Sequence, residues 1–285
     1  MIHSLICLGL LPTELHLPIH IFQGGPHMNA QQVKASLASC ITGAIAQFSA
    51  EHEAATEWGA PIVGFADAHG PYVQALPQII SPTHHLPQDL LADATVVIVY
   101  FLPFVPGIER ANRAGDEPSP SWITAYNETN SMFPAIDAQV TALIRSWGYA
   151  AVCPGDIGTV DPQHIYSNWS QRHFAYAAGI GTFGLNNMLI TEVGTCGRIR
   201  TIVTNLPVTP DQPLKEERCL YKRNGSCKLC AQHCPIGAIH TDAPFDRQAC
   251  WSRLDVFERN LGADACGKCV VGLPCSLHDP SRSAN

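Results

Sequence analysis

Eight of the twelve cysteines in this 285-residue chain lie between Cys219 and Cys275. They form two groups of four: Cys219, Cys227, Cys230 and Cys234, then Cys250, Cys266, Cys269 and Cys275. The sharpest piece is Cys227-Lys-Leu-Cys230-Ala-Gln-His-Cys234-Pro235, which is the back half of the bacterial ferredoxin run C-x2-C-x3-C-P. The x2 spacing lets two thiolates reach one cluster from a single turn, and the x3-Cys-Pro step sends the last thiolate to the other cluster. Asn224 stands where the first ligand of that run is expected, and Cys219, five residues further back, is its natural substitute. Cys266-x2-Cys269 is clean, but Cys275 follows at x5, with Gly272 and Pro274 to shape the longer loop. Zinc accepts paired C-x2-C ligands. The Cys-Pro step and the count of eight favour two [4Fe–4S] clusters instead. With no export signal in the sequence, disulfides are the weaker reading.

The formal net charge is −7, unevenly spread. Residues 1–208 carry 7 Lys+Arg against 15 Asp+Glu, and residues 209–285 carry 10 against 9. Neither part is a basic surface for nucleic acid. No apolar run reaches the length of a membrane span, and free thiolates suit a reducing cytoplasm. Residues 1–27, broken by Pro12, Pro18 and Pro26, are expected to be an extension.

The elements that must position the cysteines are legible in part. Asn29 caps a helix whose apolar residues Val33, Leu37, Ile41, Ala44, Ile45 and Phe48 recur at helical spacing and which ends before Gly59. Ile62–Ala66 reads as a short buried strand. Thr95–Leu102, apolar on both faces, reads as a central strand. Trp122–Asn130 and Pro134–Trp147 read as two helices, the second begun by Pro134. Tyr149–Val152 is a short strand, and Ser167–Ala178 a helix capped at Ser167 or Asn168. Met188–Thr191 and Arg198–Thr204 read as strands joined by a hairpin turn at Gly194–Gly197. The expected architecture is an α/β (α+β) N-terminal domain over residues 28–208 and a ferredoxin-like domain with two [4Fe–4S] clusters over residues 209–285.

Gly179-Ile-Gly181-Thr-Phe-Gly184 matches G-x-G-x-x-G, but a helix precedes it and a strand follows, the wrong context for a dinucleotide. Ala178-Gly-Ile-Gly-Thr-Phe-Gly-Leu-Asn186, then Leu189-Ile190, Leu206-Pro207 and the cysteine block, together resemble the epoxyqueuosine reductase family, which is related to the reductive dehalogenases. The resemblance implies a corrin (cobalamin) in the N-terminal domain, near Gly179, Gly181, Gly184 and Asn186. It also implies one cluster on Cys219, Cys227, Cys230 and Cys275 and another on Cys234, Cys250, Cys266 and Cys269. The chain departs from the family where chemistry is done. The family's catalytic Asp falls at Ile165, its Lys after the third glycine at Leu185, and its Glu at Gln171, while Arg172 matches.

Around the lost acid stand His164, Tyr166, Arg172 and His173, each able to give a proton or orient an anion. Tyr166 is the favoured proton donor, with Arg172 and His164 beside it. Two functions fit. In one, an iron–sulfur oxidoreductase passes single electrons from its clusters to a bound acceptor and reduces a small molecule. In the other, an electron carrier or reductive activator serves a partner such as a corrinoid protein. The expected partners are a ferredoxin- or flavodoxin-type donor and a small-molecule or protein-bound acceptor, with no nucleic acid and no membrane.

Overall fold

The computed structural model describes residues 29–155, 159–161 and 163–282. The extension expected over residues 1–27 lies outside them. Helix α1 (Ala30–His52) starts where Asn29 and Gln32 cap each other. Asn29 Oδ1 accepts from the Gln32 N–H at 3.0 Å, and Gln32 Oε1 accepts from the Asn29 N–H at 2.9 Å. These bonds satisfy orphan donors of the first turn. Strand β1 (Ile62–Asp67) follows, then three single turns of helix, α2 (Pro71–Gln74), α3 (Leu76–Ile79) and α4 (Pro87–Leu90). Strand β2 (Val96–Pro103) is buried along all eight residues, as a strand covered on both faces must be.

Helix α5 (Pro106–Ala111) leads to α6 (Pro120–Ser146). The two helices expected on either side of Pro134 are one. A helical proline removes a single N–H donor, and Pro134 is exposed, while Trp122, Ala125, Thr129, Met132, Phe133, Ile136, Val140 and Ile144 make one continuous buried seam. That seam holds the helix together across the missing bond.

Strand β3 (Ala151–Val152), the two-residue strands β4 (Val160–Asp161) and β5 (Tyr166–Ser167), and α7 (Gln171–Ala177) come next. Helix α7 is shorter than expected. Its cap is Ser170, because Ser167 and Trp169 are tied in a local turn, with Ser167 Oγ donating to the Trp169 carbonyl at 2.8 Å. Strands β6 (Gly181–Phe183), β7 (Leu189–Thr191) and β8 (Gly197–Thr204) follow. The expected β7–β8 hairpin does not form. β7 turns back on β6, and β8 runs antiparallel to β2 over eight residue pairs, Val96 opposite Thr204 through Pro103 opposite Gly197.

The main sheet has the order β1-β2-β8-β3, with every pairing antiparallel. Helices α1 and α6 pack on one face, over Phe65, Ile98, Tyr100, Leu102 and Ile202. Helix α7 and its neighbours pack on the other, over Ala66, Val97, Val99, Phe101 and Val203. Alternate residues of one strand thus feed two cores. Burial of each such large side chain contributes about 1.5–3 kcal/mol.

Among the described residues beyond 208 there are three helices, α8 (Leu220–Asn224), α9 (Leu229–His233) and α10 (Arg247–Leu261), and no strand. The loops around them share a third core with the sheet side: Ala263, Ala265, Val270 and Val271 pack with Phe104, Ile108, Trp122 and Cys196. No helix among the described residues is long and apolar enough to cross a membrane.

Candidate cluster and substrate site

The cysteines sit on short helices and tight loops. Cys219 is the cap of α8, Cys230 lies within α9, Cys234 ends α9, and Cys250 lies in the first turns of α10. Asp246 starts α10 by accepting from the Ala249 N–H at 2.9 Å. The eight thiols gather in two quartets. Cys275 feels Cys230, Cys219 and Cys227, although it lies far beyond them in sequence. Cys250 feels Cys266 and Cys234, and Cys269 feels Cys266, Cys250 and Cys234. Cys269 also feels Cys230, so the quartets are neighbours.

Burial, then the crowding of like charges, pushes Cys230 and Cys250 up to about 11 and Cys275 up to about 12. The same causes carry Cys269 higher still. Thiolates so placed need cations between them. Among the described residues no three His, Cys, Asp or Glu side chains converge as they would around a single ion. A mononuclear zinc draws four thiolates to about 2.3 Å from one centre. A cubane puts an iron–sulfide core between them and holds them further apart. Cys219, Cys227, Cys230 and Cys275 line a hollow with Gly184, Asn186, Leu273 and Pro274.

Two buried asparagines hold the second quartet's loop. Asn186 Nδ2 donates to the Cys269 carbonyl at 2.6 Å, and its Oδ1 accepts from the Met188 N–H at 3.1 Å. Asn112 Nδ2 donates to the Cys266 carbonyl at 3.0 Å, and its Oδ1 accepts from the Ser119 N–H at 2.8 Å. Asn186 is therefore spent on the chain itself. The glycines are closed in the same way. A Cβ on Gly179 would stand 2.3 Å from the Gln212 carbonyl oxygen, and one on Gly181 would stand 2.4 Å from that of Ile190. A Cβ on Gly184 would stand 2.5 Å from Asn186 Oδ1. The glycine run admits neighbouring backbone.

Arg172 stands beside Cys269 and Cys250 of the second quartet, while Tyr166 and His164 pair with each other on the surface. The His164 and Tyr166 rings stack at 6.1 Å, and His164 Nδ1 lies 2.9 Å from Asp161 Oδ2. Both side chains are exposed. The Arg247 guanidinium lies 5.4 Å from the Tyr166 ring centroid. Ile165, between them, has φ +56°, an uncommon conformation for a β-branched residue. Arg172 Nη1 donates to the Asn187 carbonyl at 2.7 Å and reaches Met188 Sδ at 3.4 Å. Burial and then Arg247 pull its pKa down, against the pull of Cys269 and Cys250. Burial also lowers His173 to about 4, helped by Arg172, His84 and Arg247. His173 Nδ1 lies 2.7 Å from Ser170 Oγ.

Sequence reasoning missed Asn112, Lys268 and the buried pair Arg218–Asp279, at 3.0 Å. Arg218 also donates to the Ile180 and Ile190 carbonyls, so the pair ties the C-terminal tail to β6 and β7. No local pattern marks such residues, because their partners lie up to 156 positions away. The one available signal was for Lys268, a charge set between two cysteine ligands.

No protein-family model matches the chain. It is 38% identical over 82 residues to the epoxyqueuosine reductase of Bacillus anthracis, which is 28% of this chain and 20% of that one. It is 37% identical over 118 residues to that of Bacillus subtilis (strain 168), 38% of this chain and 29% of that one. Over the matched stretch this chain is similar to the epoxyqueuosine reductases. The matches span less than a third of those relatives' length. The fold agrees. A crystal structure of epoxyqueuosine reductase with a modified tRNA stem loop superimposes at TM-score 0.51 and 20% identity, covering 87% of this chain and 66% of that one. A reductive dehalogenase described in terms of B12-dependent dehalogenation matches at TM-score 0.50 and 19% identity, over 78% of this chain and 30% of that one.

Proposed function

We propose that the chain is an iron–sulfur oxidoreductase that carries two [4Fe–4S] clusters and delivers electrons singly to an acceptor. The observation that carries this is the sorting of eight thiols into Cys219/Cys227/Cys230/Cys275 and Cys234/Cys250/Cys266/Cys269. Clusters held there would supply one-electron reduction. The chain's own residues do the rest. Asn186 and Asn112 fix the loop of Cys266 and Cys269. Tyr166 Oη offers a proton at the edge of the second quartet. Arg247, against the Tyr166 ring, orients an anionic group there.

The acceptor is a small or protein-bound molecule. The curated relatives are named for reducing epoxyqueuosine, and one solved neighbour holds a tRNA stem loop. Here Ile165 stands at the position of the family's acid and Leu185 at that of its Lys. The dehalogenase neighbour suggests cobalamin. Of two hollows in the structure, one belongs to the first quartet. The other lies between α6 and α10, lined by Tyr126, Trp251, Leu254, Asp255 and Glu258. Gly184 and Asn186 line the first, but neither hollow is lined by Tyr166 or Arg172, and backbone carbonyls pack against Gly179 and Gly181, so the fit to a corrin is poor.

The second reading, a reductive activator of a partner protein, is favoured by the exposed loop around the first quartet, where Leu229 and Ile236 face solvent. Metal analysis of anaerobically purified protein for cobalt, with reoxidation kinetics of the reduced protein, separates the two. The enzyme reading expects no cobalt and reoxidation by a small acceptor that slows in Tyr166→Phe. Reoxidation by a corrinoid protein alone, unaffected by Tyr166→Phe, supports the activator. Stoichiometric cobalt would overturn the poor fit to a corrin.

A further inference from the structure

We propose that the half-buried Arg172 and the buried Lys268 are counter-charges that raise the potential of the cluster on Cys234, Cys250, Cys266 and Cys269, making it the electron sink of the pair. This rests on the two-cluster reading above. An electron leaves the cluster on Cys219, Cys227, Cys230 and Cys275, which is oxidised, and reduces its neighbour. A one-electron donor protein of ferredoxin or flavodoxin type refills the first. The exposed loop with Leu229 and Ile236 is where such a donor reaches it.

Reduction adds one negative charge to a cluster, and a fixed cation nearby stabilises the reduced form more than the oxidised one. Lys268 lies between Cys266 and Cys269 and is 3% exposed. Its Nζ donates only to carbonyls, those of Asn112 at 2.7 Å and Ala114 at 2.8 Å. Arg172 is anchored at 2.7 Å to the Asn187 carbonyl, and the adjacent Asn186 is bonded to the Cys269 carbonyl. Its guanidinium is thereby held beside that loop. Neither cation has a carboxylate within ion-pair distance among the described residues. Asp116 acts on Lys268 only from beyond that distance, so most of their charge is left for the cluster. The N-terminus of the 15-residue α10 adds a partial positive charge near Cys250. Asp246 opposes it, but is exposed and spent on the cap.

The first quartet lacks this setting, because the buried cation beside it, Arg218 next to Cys219, is paired with Asp279 at 3.0 Å. Its helices α8 and α9 have five residues each. Lys222, Arg223 and Lys228 around it are exposed, where water and salt screen them. Water at that edge also stabilises an added charge. The two fixed cations outweigh it.

The experiment is a potentiometric titration of the anaerobic protein followed by electron paramagnetic resonance. Cys227→Ser identifies the signal of the first cluster. Arg172→Met and Lys268→Met are each expected to change the reduction equilibrium of the second cluster about tenfold toward the oxidised form, a downward shift of about 59 mV for one electron. Arg172→Lys, which keeps the charge, stays near wild type, and the first cluster stays unmoved throughout. Wild type with the first cluster at the higher potential would overturn the proposal. So would Met variants that leave both midpoints in place or shift both alike. Fewer than about eight irons in the wild type would instead remove the two-cluster reading on which it rests.

Discussion

Two histidines show how strongly burial decides protonation in this molecule. His84 accepts from the Ser170 N–H at 3.0 Å through Nε2, and burial lowers it to about 4, as it does His173. An unfolded histidine titrates near about 6.5. Folded, both stay neutral until pH falls toward 4, while the unfolded chain takes up protons from about 6.5 downward, so acid in that window favours unfolding. Hydrogen–deuterium exchange at the imidazole C2 position, read by mass spectrometry against pH, should give midpoints near 4 for both residues. A midpoint near 6.5 for His173 would put a charged imidazole beside Arg172 and contradict the assigned burial. At neutral pH His173 is thus no proton source, which leaves Tyr166 and His164 of the residues singled out in the sequence. Those three, with Arg172, were legible because they surround a gap in a familiar motif. Lys268 and Asn112 were not, since their importance lies in contacts with distant backbone.

At the level of elements, local pattern was a good guide where the element is self-contained. Asn29 announces α1, and seven apolar residues in a row from Val96 to Leu102 announce β2. It failed where tertiary packing overrides local preference. Pro134 read as a helix start, yet the seam from Met132 to Val140 carries α6 through it. Gly194–Gly197 read as a hairpin, yet β8 gains eight pairs on β2 that a short β7 could not offer. Two predictions follow from these packings. Pro134 is exposed, so Pro134→Ala restores a helical donor at little packing cost and should stabilise the fold by roughly 2 kcal/mol, after the gain in unfolded-state freedom. Thermal unfolding under anaerobic conditions should show a raised midpoint; a lowered one would mean the helix needs its kink. Gly267 has φ +73°, and a Cβ there would come within 2.3 Å of the Trp122 ring. Gly267→Ala should therefore cost more than about 1 kcal/mol and pull the Cys266–Cys269 loop off α6. Iron content should fall in this variant, the second cluster going first; full retention of both signals would show that the loop tolerates the shift.

For the whole molecule, the balance of charge bears on what it can approach. Residues 1–208 hold few cations, and several are already engaged: Lys34 with Asp211, Arg113 with Glu109, Arg200 with Asp137. Affinity for any RNA depends on cations free to neutralise phosphates. Bulk transfer RNA should therefore show no micromolar binding even at low salt, and epoxyqueuosine-bearing RNA should not be turned over. Micromolar binding that weakens steeply with salt, or conversion of the modified base, would show that a local basic face outweighs the net charge. The account stands most directly on its metal content. Iron and zinc per chain, measured on anaerobically reconstituted wild type, Cys275→Ala and Cys234→Ala, should give about eight irons and no zinc for the wild type. Each variant should keep about four irons, with different resonance signals lost in the two. Zinc in place of iron, about four irons in the wild type, or loss of the same signal from both variants would contradict it.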